Sequence, residues 1–142
     1  MKIAVVYWSS TGNTEAMAQA VVEGAKHAGA EAELFTAAEF DGGKMDEFDA
    51  VAFGCPAMGA EELEDGEFAP MFETCESKLS GKKIALFGSY GWGDGQWMRD
   101  WCERAKEDGA VLFSEEGLIC NETPDDDAQA ACRKLGADLA AW

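Results

Sequence analysis

The chain has 142 residues, of which 28 are Asp or Glu and 11 are Lys or Arg, so its formal net charge is −17. The length predicts one domain over residues 1–142, and the 47% share of hydrophobic residues predicts a globular protein. Such an acidic surface repels the phosphates of nucleic acids and anionic lipids, so we expect neither as a partner. No apolar run reaches the ~18 residues that a transmembrane helix needs.

The five cysteines and the single histidine favour a reduced protein without a metal. No two cysteines form a Cys-x-x-Cys pair, and His27 alone leaves a zinc site short of ligands. The first residues show no signal-peptide pattern. We therefore expect buried, reduced thiols in a cytoplasmic monomer.

Apolar runs alternate with helical patterns along the whole chain. A β-branched and aromatic run predicts a strand at 2–8, and apolar residues at helical spacing predict a helix at 13–28. A weaker strand at 31–35 and a polar linker at 39–47 follow. Three further apolar runs predict strands at 49–54, 83–88 and 111–120, the last interrupted at 114–117, and helical patterns predict helices at 67–79, 96–108 and 124–142.

This alternation predicts an α/β fold, a doubly wound parallel sheet of five strands in the order 2-1-3-4-5 with helices on both faces. In such sheets ligands bind at the carboxyl ends of the strands, beside the point where the strand order reverses. That point lies between the first and third strands. We therefore expect the loops at 9–14, 56–61 and 89–95 to converge on one site.

The loop at 9–14 reads Ser-Ser-Thr-Gly-Asn-Thr and directly precedes a predicted helix. Hydroxyls, a glycine and the free N–H groups of a helix N-terminus together form an anion cradle. The loop lacks the lysine of a Walker loop, and the chain lacks a Gly-x-Gly-x-x-Gly fingerprint. A phosphate here would be held by neutral donors, which suits one terminal monoester. The same residues also suit ordinary helix capping, and the loop by itself does not decide between the two.

The other two loops favour a flat aromatic ligand. Met58 is a polarizable side chain on a loop, and Trp92 stands between two glycines with little local core to pack against. Trp97, Met98 and Trp101 instead recur at helical spacing, which is typical of core residues.

Three segments of the chain resemble the binding loops of the flavodoxin family, in its short-chain, anaerobe-type branch. The segment at 7–15, Tyr-Trp-Ser-Ser-Thr-Gly-Asn-Thr-Glu, is similar to the family's phosphate loop. The segments Gly-Cys-Pro-Ala-Met-Gly at 54–59 and Leu-Phe-Gly-Ser-Tyr-Gly-Trp-Gly-Asp-Gly at 86–95 are similar to its two flavin loops. The resemblance covers essentially the full length. Flavodoxin is itself a standard example of ligand binding beside the point where the strand order reverses, so the predicted position of the site is not independent of this resemblance.

The resemblance implies non-covalently bound FMN and low-potential one-electron transfer between redox enzymes, without substrate turnover by the chain itself. It implies that Met58 and Trp92 sandwich the isoalloxazine ring and that Glu61 accepts from its N3–H. The backbone of Gly59 and Ala60 would face N5. The remaining implied contacts go to the phosphate, the ribityl chain or the ring edge. The candidate cofactor-binding residues are Ser9, Ser10, Thr11, Gly12, Asn13, Thr14, Pro56, Ala57, Met58, Gly59, Ala60, Glu61, Ser89, Tyr90, Gly91, Trp92, Gly93 and Asn121.

Other proteins of this topology fit less well. A response-regulator receiver needs an Asp after the third strand, where this chain has Gly54 and Cys55, and a low-molecular-weight phosphatase needs a Cys in the first loop. The alternative that stays open is an FMN-dependent reductase or a flavin-binding sensor. The acidic run at 61–67, with Asp94 near it, is either a solvated face or a rim that docks basic surfaces of redox enzymes.

Overall fold

The computed structural model describes residues 1–114 and 116–142. Within them α-helices and β-strands alternate up to β5, except between β2 and β3, which no α-helix separates. The elements are β1 (Lys2–Tyr7), α1 (Asn13–His27), β2 (Glu31–Thr36), β3 (Ala50–Gly54), α2 (Phe68–Glu76), β4 (Lys83–Tyr90), α3 (Gln96–Glu107), β5 (Val111–Leu112), β6 (Leu118–Asn121) and α4 (Asp126–Ala141).

The strands form one parallel sheet in the order β2-β1-β3-β4, and β5 and β6 both pair with β4 at its free edge. The predicted α/β fold and strand order are therefore confirmed. The predicted fifth strand is split into β5 and β6, as the predicted interruption implied. Glu115, inside that interruption, lies outside the described residues. Parallel pairing places the carboxyl ends of β1, β3 and β4 at one edge of the sheet.

Side chains that alternate along the strands form a core on each face of the sheet. On one face, Val6 and Phe53 pack in a cluster that includes Trp97, Met98 and Trp101 of α3. The two tryptophans and Met98 are at most 3% exposed, so their predicted place in the core is confirmed. On the other face, strand residues such as Ile3 and Val5 pack with Met17, Val21, Leu135 and Leu139 of α1 and α4.

The prediction of a polar linker at 39–47 is wrong. Two 3₁₀ helices, Ala37–Glu39 and Gly42–Glu47, cover the edge of the core there. Phe40 and Met45 are buried, and the Phe40 ring lies 5.3 Å from that of Phe35. The error has a simple cause, because single apolar residues among charged ones carry neither the strand nor the helix period.

Strand β4 runs two residues further than predicted, since its pairing with β6 extends to Tyr90. Ser89 and Tyr90 are therefore strand residues and not part of a glycine-rich loop. The last helix begins at Asp126, capped by the Asp125 side chain, so Pro124 precedes the cap and does not open the helix. All five cysteines are buried and unpaired. In the described ranges, no helix is long and apolar enough to cross a membrane.

Candidate functional site

A cleft of about 410 Å³ opens at the carboxyl edge of the sheet, where the three predicted loops meet. Half of the candidate residues line it. Glu122 and Thr123, which follow β6, supply a fourth wall, and of this region the sequence prediction included only Asn121. The lining residues are Ser10, Thr11, Asn13, Pro56, Ala57, Met58, Ser89, Tyr90, Gly91, Glu122 and Thr123.

The polar end of the cleft is the N-terminus of α1. Gly12 is the N-cap, with φ of 91°, and no side chain caps this helix end. The Ser9 hydroxyl accepts instead from the Gly12 N–H, at 3.1 Å, which folds the loop back on itself. The first-turn N–H groups are therefore not used by a capping side chain and remain available to an anion, with the helix dipole behind them. Of the two alternatives for this loop, the geometry favours the anion cradle.

Thr14 fixes this helix end to β4. Its side chain is 1% exposed, and its hydroxyl lies 2.8 Å from the hydroxyl of Ser89, which is also buried. Two buried hydroxyls that satisfy each other hold the cradle in one place without a charge. Ser89 can do this because the extended β4 carries it to the sheet edge beside α1.

The loop after β3 folds back as a small hairpin. The N–H and C=O groups of Met58 and Glu62 pair in both directions, at 2.8 and 2.9 Å. Between them Gly59 has φ of 49° and Glu61 has φ of 56°. Gly59 adopts this conformation freely, whereas Glu61 carries a Cβ in a region that disfavours it by roughly 1–2 kcal/mol.

The strained Glu61 places its carboxylate under the loop after β4. Its Oε1 atom is buried and has no hydrogen-bond partner within residues 1–114 and 116–142. A Cβ at Gly93 would meet that same oxygen, so the Glu61 side chain would have to move, and the φ of 86° at Gly93 itself favours glycine. A buried acceptor without a donor is costly, and an N–H donor supplied by a ligand would satisfy it.

Several candidate residues do not line the cleft. Trp92 is 65% exposed beside it, so its ring does not face Met58 across a closed slot. The Asn121 side chain donates to the Tyr90 carbonyl at 3.3 Å and thereby holds the end of β6 against β4. The remaining candidates outside the lining are neighbours of lining residues in the three loops: Ser9, Gly12, Thr14, Gly59, Ala60, Glu61 and Gly93.

Sequence reasoning missed Glu122 and Thr123, which line the cleft directly after β6. Glu122 has φ of 57°, and its N–H donates to the Tyr90 carbonyl at 2.7 Å. The signal was present, since any residue that follows a strand of a parallel sheet reaches the same edge. The prediction placed the end of that strand one residue too early and stopped at Asn121.

The acidic run at 61–67 is not one uniform surface. The Glu64 carboxylate accepts from the N–H groups of Gly66, Glu67 and Phe68 at 2.7–2.8 Å and so caps α2. Burial acts to raise the pKa of Glu64, but these three donors outweigh it and lower the pKa. Glu62 and Asp65 are exposed, and neither makes an ion pair in the described part of the chain.

The residues present fit a flavin mononucleotide. The uncapped helix N-terminus with its hydroxyls suits a terminal phosphate, and no Lys, Arg or His is among the lining residues. Met58 offers a polarizable apolar surface to a flat ring, and the unpartnered Glu61 oxygen suits a ring N–H. The arrangement thus has a polar end and an aromatic end, as a ring joined to a phosphate requires.

The comparisons with known proteins agree with this geometry. The family model described as Flavodoxin matches residues 5–135. The chain is 44% identical to a flavodoxin of Megasphaera elsdenii, over 94% of this chain and 95% of that protein, and 42% identical to one of Clostridium beijerinckii, over 96% and 97%. The solution structure of two-electron reduced Megasphaera elsdenii flavodoxin superposes with a TM-score of 0.86, at 40% identity and 99% coverage of both chains. The chain therefore belongs to the flavodoxin family.

Proposed function

We propose that the chain is a low-potential one-electron carrier that holds FMN without a covalent bond and shuttles electrons between redox enzymes. Bound FMN supplies the redox chemistry, because its isoalloxazine ring accepts and releases single electrons. The proposal rests on one observation. The N-terminus of α1, which has no side-chain cap, borders a cleft lined by residues of all three predicted loops, at 9–14, 56–61 and 89–95. The family membership supports the same function.

The phosphate is held by neutral donors. The N–H groups of the first turn of α1 would bind it, together with the hydroxyls of Ser10 and Thr11 and the amide of Asn13, which line the cleft. Ser9 would hold the loop in shape, since its hydroxyl accepts from the Gly12 N–H. The contact between Thr14 of α1 and Ser89 of β4 fixes the position of these donors relative to the sheet. Hydrogen bonds to a charged acceptor contribute roughly 1.5–3 kcal/mol each, so a few of them suffice without a cation.

The ring is held by the two flavin loops. Met58, which lines the cleft, would form one wall, and the exposed Trp92 would close over the ring. Glu61 would accept from the ring N3–H, and the backbone of Gly59 and Ala60 would face N5. Pro56, Ala57, Tyr90, Gly91 and Gly93 would border the ring, and Asn121, which donates to the Tyr90 carbonyl, would lie near the ribityl chain.

The charge around the cleft favours a low potential. Glu61 lies beside the loop after β4 and Glu122 lines the cleft, and the whole chain carries −17. An electron that the flavin takes up without a proton would add negative charge near these carboxylates, which Coulomb repulsion disfavours. The chain thereby lowers the potential of the bound flavin below that of the free cofactor.

Spectroscopy on the purified protein tests the function. We expect a flavin absorption spectrum, release of FMN on denaturation, and uptake of two electrons in two separate steps during an anaerobic titration. Uptake of both electrons at a single potential would contradict the one-electron carrier. Turnover of a small substrate without any partner protein would instead support the alternative, an FMN-dependent reductase.

We propose that the partner enzymes present basic docking surfaces. Glu62 and Asp65 support this, because both are exposed in the acidic run and neither pairs with a cation among the residues that the structure describes. Asp94 contributes less, since Arg99 pairs with it at 2.9 Å. Attraction between opposite surfaces speeds encounter and is screened by salt.

Stopped-flow electron transfer to a reductase with a basic surface tests the docking rim. We expect the rate to fall as ionic strength rises, and Glu62→Gln with Asp65→Asn to flatten that dependence. Glu33→Gln serves as the control, because Glu33 is also exposed and lies on the edge strand β2 and not in the flavin loops. If the double variant keeps the same salt dependence, the acidic run at 61–67 is a solvated face and not a docking surface.

We infer a monomer of 15.2 kDa in the cytoplasm, with one domain and without nucleic-acid or membrane partners. The five unpaired thiols support a reducing compartment, and the net charge of −17 supports the absence of nucleic-acid binding. Light scattering coupled to size exclusion measures the oligomeric state, and a mass near twice 15.2 kDa would contradict the monomer.

A further inference from the structure

The phosphate cradle borders a second cavity, which is distinct from the flavin cleft and shares only Ser10 with its lining. This cavity has a volume of about 330 Å³, and Ser9, Ser10 and Gly12 of the cradle form one of its walls. Ser10 lines both spaces. A group attached to the far side of a bound phosphate would therefore find room here.

The opposite walls of this cavity carry aromatic rings and carboxylates. The Tyr7 hydroxyl donates to Glu15 at 2.8 Å, and the Trp8 indole N–H donates to Glu67 at 3.4 Å. No Lys, Arg or His is among the residues that line the cavity. Both carboxylates are thus held in place by neutral donors, and their negative charge is not compensated by a cation of the wall.

The pKa of Tyr7 reflects the negative charge of the surrounding carboxylates. Burial, the hydrogen bond to Glu15, and the charges of Glu15 and Glu39 together raise the pKa of Tyr7 to about 12. Glu39 stays ionised, because the backbone N–H and the hydroxyl of Thr36 donate to it and lower its pKa. A further negative charge at this wall is therefore disfavoured.

We propose that Glu15 and Glu67 make the site selective for a phosphomonoester and exclude a pyrophosphate, so that FMN binds and FAD does not. The inference rests on the proposed function. FMN ends at its phosphate, whereas FAD continues through a second phosphate to adenosine. The cavity has the space and the aromatic surface for part of that extension, but the second phosphate would meet two uncompensated carboxylates. The selection is thus made by charge and not by lack of room.

Binding of three flavins to the full-length chain, freed of cofactor, tests this inference. The probes are FMN, the methyl ester of FMN, which has a diester but no second phosphate, and FAD. The variants are Glu15→Gln, Glu67→Gln and the double variant, since Gln still accepts from Tyr7 and Trp8. Glu23→Gln is the matched control, because it removes one charge from the same helix at an exposed position two turns away.

We expect the affinity for FAD to rise about tenfold for each carboxylate removed, with much smaller changes for FMN and its methyl ester. The control should leave the ratio of FMN to FAD affinity as in the native chain. High salt should also raise the affinity for FAD relative to FMN, and more so in the native chain than in the double variant.

The outcomes separate this inference from the proposed function. An unchanged ratio of FMN to FAD affinity in the double variant, with FMN still bound, overturns the charge filter alone. An equal gain for the methyl ester and FAD overturns it as well, because the second phosphate would then have no special role. Failure of the native chain to bind FMN overturns the proposed function itself.

Discussion

The two ends of the cleft are built in different ways. The phosphate end rests on regular elements, the N-terminus of α1 and the end of β4, joined by the buried contact between Thr14 and Ser89 at 2.8 Å. The ring end rests on loops, in which Glu61 is strained with φ of 56° and Trp92 is 65% exposed. The phosphate end is therefore formed without a ligand, and we propose that the ring end is completed only when a ligand binds.

This difference predicts how much each end of the cleft contributes to the free energy of binding. A preformed cradle loses little conformational entropy on binding, so its hydrogen bonds contribute nearly in full. At the ring end, part of the gain from stacking and from the Glu61 hydrogen bond is offset by the ordering of Trp92 and its glycine-flanked loop. The comparison predicts that the phosphate dominates affinity and that changes at the ring end are smaller and partly act on the free protein.

Removal of the ligand phosphate should have the largest effect. We expect FMN to bind more tightly than riboflavin by about 3–6 kcal/mol, which corresponds to two charge-assisted hydrogen bonds at roughly 1.5–3 kcal/mol each. Fluorescence titration of the chain with both flavins measures the difference. Similar affinities for the two flavins would remove the basis for the preformed cradle.

Substitution of the cradle itself should have the next largest effect. Thr14→Val keeps the shape but leaves the Ser89 hydroxyl buried without its partner, so we expect the free energy of unfolding to fall by about 1–3 kcal/mol. FMN affinity should fall as well, with riboflavin affinity nearly unchanged. Chemical denaturation and flavin titration measure the two quantities.

Thr11→Val separates these two effects. Thr11 lines the cleft but is exposed, so its hydroxyl can serve the phosphate without supporting the fold. We expect this variant to lose FMN affinity with stability changed by less than about 0.5 kcal/mol. If Thr11→Val lost as much stability as Thr14→Val, Thr11 would also support the fold, and the assignment of Thr11 to phosphate contact alone would be wrong.

The phosphate end was also the easier end to predict from sequence. Its elements follow from patterns that sequence shows directly, an apolar strand, a run of hydroxyls with a glycine, and a helical period. The prediction lacked only the extension of β4 that makes Ser89 a strand residue, because pairing with β6 is a tertiary effect. Helix capping stayed open until the structure showed that no side chain caps α1.

The ring end was predicted less completely. Loop sequence does not reveal that Glu61 adopts positive φ or that its carboxylate lies against Gly93. Sequence likewise gave no reason to separate Glu64, which caps α2, from Glu62 and Asp65, which stay exposed. Each of these facts depends on the path of the backbone in three dimensions and not on residue type.

Trp92→Ala tests whether the ring end is completed by the ligand. Because the side chain is 65% exposed in the free protein, we expect its removal to change the free energy of unfolding by less than about 0.5 kcal/mol. Stacking of an aromatic side chain on a base contributes roughly 1–3 kcal/mol, and we expect a loss of about 1–2 kcal/mol for FMN and riboflavin alike. A clear loss of stability without ligand would mean that Trp92 already packs in the free chain.

The smallest expected effect concerns the strain at Glu61. Glu61→Gly removes the Cβ from a residue with φ of 56° and removes a buried oxygen that has no partner. The relief of roughly 1–2 kcal/mol is partly offset, because glycine gives the unfolded chain more freedom. We expect the ligand-free protein to gain about 0.5–1 kcal/mol of stability while its affinity for both flavins falls.

Two matched variants test whether the expected gain in stability and loss of flavin affinity in Glu61→Gly both have the stated causes. Glu62→Gly lies at the next position, where φ is not positive, so it should lower stability by about 0.5–1 kcal/mol. Glu61→Gln keeps the strain but removes the charge, and it should lower flavin affinity with little change in stability. Chemical denaturation of the three ligand-free variants gives the sign directly. If Glu61→Gly and Glu62→Gly destabilise the chain equally, the hairpin stores no strain, and the ring end is as preformed as the phosphate end.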